Sequence, residues 1–139
     1  MADKSRKKGH NAELLVMSDL SRRGVHLRQM QTPSSVRGGR KVYTANQGAD
    51  LVGCDSTGRA WFVEVKSYTG RIPISERGGI KLSQLANLLH LKAMGAQVYL
   101  AIVSPPCIYY VDPTMVCKTG LRSYGVKEAK KDSTFTGVA

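Results

Sequence analysis

Residues 50–66 constrain this chain more tightly than any other stretch. Asp50-Leu51-Val52-Gly53-Cys54 and Arg59-Ala60-Trp61-Phe62-Val63-Glu64-Val65-Lys66 are two β-prone runs, joined by Asp55-Ser56-Thr57-Gly58. Such runs around a glycine-ended turn specify a hairpin. With a three-residue loop, Ser56-Thr57-Gly58, and Gly58 left-handed, Asp55 pairs with Arg59. The ladder then runs outward, pair by pair, until Asp50 stands across from Glu64. Directly opposed side chains share a face, with Cβ atoms about 4.5–5.5 Å apart. Lys66, two residues beyond Glu64, shares that face, and Trp61, Val63 and Val65 take the other, which is expected to bury against a helix.

Two carboxylates held that close repel each other, and a purely structural hairpin gains nothing from them. A divalent cation removes the conflict: oxygens from Asp50, Glu64 and a strand carbonyl, completed by water, make a suitable Mg²⁺ shell. Lys66 beside it can orient or deprotonate an attacking water. The plainer alternative is a solvent-facing polar row in which Glu64 and Lys66 form a surface pair worth little. The apolar strands and a third carboxylate on a helical stripe weigh against it. That third acid is Glu13, which shares helical spacing with Val16, Met17 and Leu20.

Charge points the same way. Twenty-one Lys and Arg against ten Asp and Glu leave +11 on 139 residues. A field of that sign on so small a body favours a polyanion, of which nucleic acid is the commonest; a merely solubilising surface is the alternative. No apolar run approaches the roughly 18 residues needed to cross a bilayer, and the basic start is not followed by a secretory apolar segment. Cys54, Cys107 and Cys117 have neither even number nor metal-ligand spacing, so they read as reduced packing residues. Zinc fingers, secreted mini-proteins and membrane proteins are excluded on these grounds, and the expected location is cytoplasmic.

The rest of the chain reads as one domain. A helix is expected over 7–23, stopped by Gly24, after a basic arm at 1–8. A short strand covers 25–30 and a Gly- and Arg-rich loop covers 31–49. After the hairpin come an open stretch at 67–80, a helix capped by Ser83 and ended by Gly95, and an enclosed strand at 97–104. A further strand is placed at 108–111, and a flexible polar tail at 127–139. The order is α-β-β-β-α-β.

These residues resemble a known family. Gly48-Ala49-Asp50, thirteen residues, then Glu64-Val65-Lys66 is similar to the PD-(D/E)XK nuclease signature. Lys8-Gly9-His10-Asn11-Ala12-Glu13-Leu14-Leu15, ahead of Arg23-Gly24, resembles the opening of archaeal-type Holliday junction resolvases. The resemblance implies an α/β fold: a restriction-endonuclease-like αβββαβ core, its central mixed sheet flanked by helices. It implies Glu13, Asp50 and Glu64 as acidic metal ligands, the Val65 carbonyl as a further ligand, Lys66 as the catalytic lysine, and Ser34 or Ser35 as a catalytic serine. Arg28 and Gln84 match positions near the family's site. Ala49 replaces the signature proline, and the loop around Ser34 and Ser35 departs from a simple Ser-Gly.

The implied activity is Mg²⁺-dependent hydrolysis of DNA phosphodiesters, with Mn²⁺ able to substitute, by a homodimer resolving four-way junctions. Lys4, Arg6, Lys7 and Lys8, Arg37, Arg40 and Lys41, and Arg71, Arg77 and Lys81 flank the acidic hairpin as phosphate contacts. The segments 98–103 and 107–111 are candidate contributors to a subunit interface. Two other readings stay open: another nuclease of the same core, nicking or restriction-type, and a non-catalytic basic DNA-binding protein.

Overall fold

The computed structural model describes the backbone of residues 2–30, 34–37, 40–43 and 49–139, and the side chains of 9–30 and 49–139. Helix α1 (Ala2–Ser21) is followed by β1 (Val25–Gln29), a hairpin of β2 (Ser34–Arg37) and β3 (Arg40–Tyr43), then β4 (Leu51–Asp55) and β5 (Ala60–Ser67). Next come β6 (Arg71–Ser75), β7 (Ile80–Lys81), α2 (Leu82–Ala93), β8 (Gln97–Ser104) and β9 (Cys107–Val111). The chain closes with α3 (Pro113–Lys118), β10 (Ser123–Gly125), α4 (Val126–Asp132) and β11 (Phe135–Val138).

The main sheet has six strands in the order β1-β4-β5-β8-β9-β11. All neighbours are antiparallel except β5 and β8, whose parallel pairing needs the crossover that α2 supplies. On one face Ala12, Val16 and Leu20, four residues apart on α1, bury against Val63, Val65, Ala101 and Tyr110. On the other, Leu85 and Leu88 of α2 pack with Leu100, Ile102 and Val111. The sheet is therefore mixed and helix-covered, as the sequence implied, and β8 is enclosed on both faces. Enclosure leaves 98–103 nothing to offer a subunit interface.

The hairpin has the anticipated register: Leu51 pairs with Val63, Val52 with Phe62 and Cys54 with Ala60. Gly58 closes the turn at φ +83°, donating its N–H to the Asp55 carbonyl at 3.0 Å. A Cβ on Gly53 would lie 1.8 Å from the His26 carbonyl oxygen, so only glycine lets β1 and β4 approach as they do.

Elsewhere the expectations need correction. Backbone helix begins at Ala2, so the basic arm is part of α1. The open stretch 67–80 contains β6 and β7, which pair with each other, and β6 pairs on its other edge with β10. Ser83 does not cap α2; Lys81 holds that position without a side-chain cap. Nor does the polar tail fray: it forms α4 and then β11, which joins the main sheet beside β9. Its anchor is Asp19, only 4% exposed. That carboxylate accepts from the Tyr110 hydroxyl at 2.7 Å and the Val138 N–H at 3.2 Å, with Arg23 3.5 Å away.

Candidate nuclease site

Asp50 immediately precedes β4, whose first residue, Leu51, pairs with Val63, so the register carries Asp50 toward Glu64. Its Oδ2 accepts the Val65 backbone N–H at 2.9 Å, which turns the carboxylate across the gap toward β5. Glu64 is 2% exposed, yet its Oε2 receives no hydrogen bond. Its Oε1 lies 3.6 Å from the Lys66 ammonium. Burial first, and the charge of Asp50 second, push the Glu64 carboxyl up to about 8 against the downward pull of Lys66. Two ionised carboxylates are both acceptors, so a contact between them needs a proton or a cation. The buried oxygen without a donor and the hard, all-oxygen character of the pair fit a magnesium-type ion.

The third acid approaches from α1. Glu13 Oε2 accepts from Gln29 Nε2 at 2.8 Å, and Gln29, at the end of β1, pairs with Leu51 beside Asp50. Burial lifts the Glu13 carboxyl above its usual value; Gln29 opposes this, Asp50 adds to it, and His10 lowers it. Glu13 thus feels the charge of Asp50. Still, among the described residues no three acidic, histidine or cysteine groups close into a ready cage. Among the described residues the Asp50–Glu64 pair is the one that could share an ion, with Glu13 at the margin.

The register puts Arg28, opposite Val52, on the same sheet face as Phe62 and Glu64, where it is exposed. Gln84 sits in the first turn of α2, over that face, and its buried Oε1 also lacks a partner. Arg77 and Lys81 are exposed. Arg71 is already engaged within the fold: its guanidinium bonds the Glu128 carboxylate and both oxygens of Ser123, tying β6 to β10 and α4. The side chains of Lys4, Arg6, Lys7, Lys8, Ser34, Ser35, Arg37, Arg40 and Lys41 lie outside the described residues. Sequence reasoning missed Gln29 and its contact with His10 at 3.0 Å. The available signal was the three-residue spacing of His10 and Glu13, which sets both on one helical face.

The charged pair has a measurable consequence. Between the ordinary glutamate value and about 8, the folded protein holds a proton on Glu64 that the unfolded chain does not. Stability from this group is therefore present at low pH and lost as pH rises through that window. Without metal, the melting midpoint should fall by several degrees between about pH 6 and about pH 9. Mg²⁺, which competes with that proton, should raise the midpoint more at the higher pH; equal shifts at both would contradict the site.

No family model and no curated protein matches the chain. Among solved structures it is similar to Hjc from Archaeoglobus fulgidus, described as a Holliday junction resolvase from an archaeal hyperthermophile. The TM-score is 0.61, over 94% of this chain and 90% of that one, at 14% identity. The two chains share a fold, a mixed α/β sheet flanked by helices.

Proposed function

We propose that the chain is a metal-dependent endonuclease that cuts branched DNA, with the four-way junction as substrate. One observation carries this reading: a buried Glu64 carboxylate with an oxygen lacking any donor, facing Asp50 and flanked by Lys66, on a fold shared with a junction resolvase. When bound, Mg²⁺ supplies a polarised phosphate oxygen and a more acidic bound water. Asp50, Glu64 and the Val65 carbonyl would hold the ion, with Glu13 contributing beside them. Lys66 would orient the attacking water and, in its neutral amine form, take its proton. Arg28, Arg77 and Lys81 contribute phosphate contacts, joined by the basic residues of α1 and of the β2–β3 hairpin. Two cuts at symmetric points need two sites, hence a two-fold homodimer. No helix among the described residues is long and apolar enough to cross a membrane.

The test is direct. Purified protein with Mg²⁺ is given junction, duplex and single-stranded DNA of matched sequence. The junction should be cut at least about tenfold faster than either, a preference worth about 1.4 kcal/mol. EDTA should stop cleavage without melting the protein, because no side chain of either apolar core would hold the ion. Preferential cutting of duplex would favour a nicking or restriction-type nuclease instead. Binding without cleavage under any metal would leave a non-catalytic DNA-binding protein.

A further inference from the structure

We infer that Gln29 positions Glu13 in the candidate site, by committing both hydrogens of one amide nitrogen, and that this bridge is a working part of the site; the inference rests on the nuclease reading above. Gln29 Nε2 lies 2.8 Å from Glu13 Oε2 and 3.0 Å from His10 Nδ1. An amide nitrogen has two N–H groups and no acceptor capacity. Both neighbours must therefore accept, which puts the imidazole proton of His10 on Nε2. Rotating the amide would set its oxygen against a carboxylate, so the orientation is fixed by chemistry. The two acceptors come from one helical face, since His10 and Glu13 are three residues apart on α1.

What the bridge accomplishes follows from where Gln29 stands. It is the last residue of β1, paired with Leu51, and the next residue, Met30, donates its N–H to the Asp50 carbonyl at 2.9 Å. One strand end thus grips the side chain of the third acid and the backbone of the first. A glutamate on a helix has three free torsions; held by Gln29, Glu13 stays where it feels the charge of Asp50. His10 is exposed and orients the amide in turn. Gln29 touches no reacting atom, so it acts through Glu13. Outer partners of this kind typically change metal affinity by about 10–100-fold.

The experiment uses Gln29→Leu, which keeps bulk and removes the donor, and Gln29→Lys, whose ammonium can donate to both acceptors. Mn²⁺ binding is read on the DNA-free protein by water proton relaxation, beside junction cleavage and the melting midpoint. Gln29→Leu should weaken Mn²⁺ binding about tenfold with the midpoint moved by only a few degrees, and Gln29→Lys should recover most of it. A Glu13→Gln/Gln29→Leu double variant should be no worse than Glu13→Gln alone. Unchanged Mn²⁺ binding in Gln29→Leu, or losses that multiply in the double variant, would overturn the inference. So would a nitrogen-15 spectrum of the wild type placing the His10 proton on Nδ1, a readout that survives if a variant fails to fold. Cleavage by a wild type that takes up no Mn²⁺ without DNA would overturn this inference and leave the nuclease reading standing. Mn²⁺ binding lost in Gln29→Leu, with no DNA cut by the wild type, would do the reverse.

Discussion

Asp50→Asn should reduce cleavage by about 10⁴-fold, the scale on which losing one member of a catalytic group acts, while junction affinity stays within a few-fold. The substitution is nearly isosteric. Its amide oxygen can still accept the Val65 N–H that Asp50 Oδ2 now takes at 2.9 Å, so the hairpin should survive. What disappears is the second negative charge facing Glu64. Without it Glu64 loses one of the two influences that push its carboxyl upward, burial being the other. The metal-free variant should consequently be more stable than the wild type at about pH 9, and its pH-dependence of melting should flatten. An inactive protein that is also more stable is the signature of a ligand carboxylate, since a structural acid would lose stability when altered. Cleavage at the wild-type rate, or a variant destabilised at every pH, would remove Asp50 from the site.

Local chemistry made the hairpin legible, and long-range contacts hid most of what was missed. The pairing of Leu51 with Val63 follows from the turn alone, because Gly58 at φ +83° permits one loop length and the ladder counts outward from it. The burial of Val63 and Val65 follows from alternation. No such arithmetic finds β11. Its partner strand lies upstream of two further helices, and the Asp19 carboxylate that takes the Val138 N–H is 119 residues away in the chain. The four residues of β11 show no pattern of their own that could outweigh the polar context. The partner of Arg71 was hidden for a related reason: Glu128, whose carboxylate its guanidinium bonds, lies 57 residues later. Glu13 was visible as an acid on an apolar stripe, but which groups steer it depends on how α1 crosses β1. That is a tertiary fact, and Gln29 was invisible with it.

Lys66 distinguishes two ways in which a cation can serve the same pair of acids. Its ammonium is 3.6 Å from Glu64 Oε1 and its side chain is 20% exposed, so it is near enough to offset charge and open enough to meet a water. Lys66→Met removes both services. Turnover should fall by about 10²–10⁴-fold, the usual worth of a positioned proton acceptor. Glu64 should at the same time be pushed further up, since the ammonium that lowers it is gone, and Mg²⁺ should bind best only at higher pH. Lys66→Arg separates the two services, because a guanidinium keeps the charge but does not give up its proton in proteins. With arginine, the pH-dependence of melting and of Mg²⁺ binding should return toward wild type while turnover stays low by about 10² or more. If arginine restores turnover as well, Lys66 acts only through its charge, and the attacking water must lose its proton to solvent or to a carboxylate of the site. If methionine leaves turnover unchanged, Lys66 is a surface partner of Glu64 and nothing more, and the case for hydrolysis at this hairpin falls back on the two acids alone.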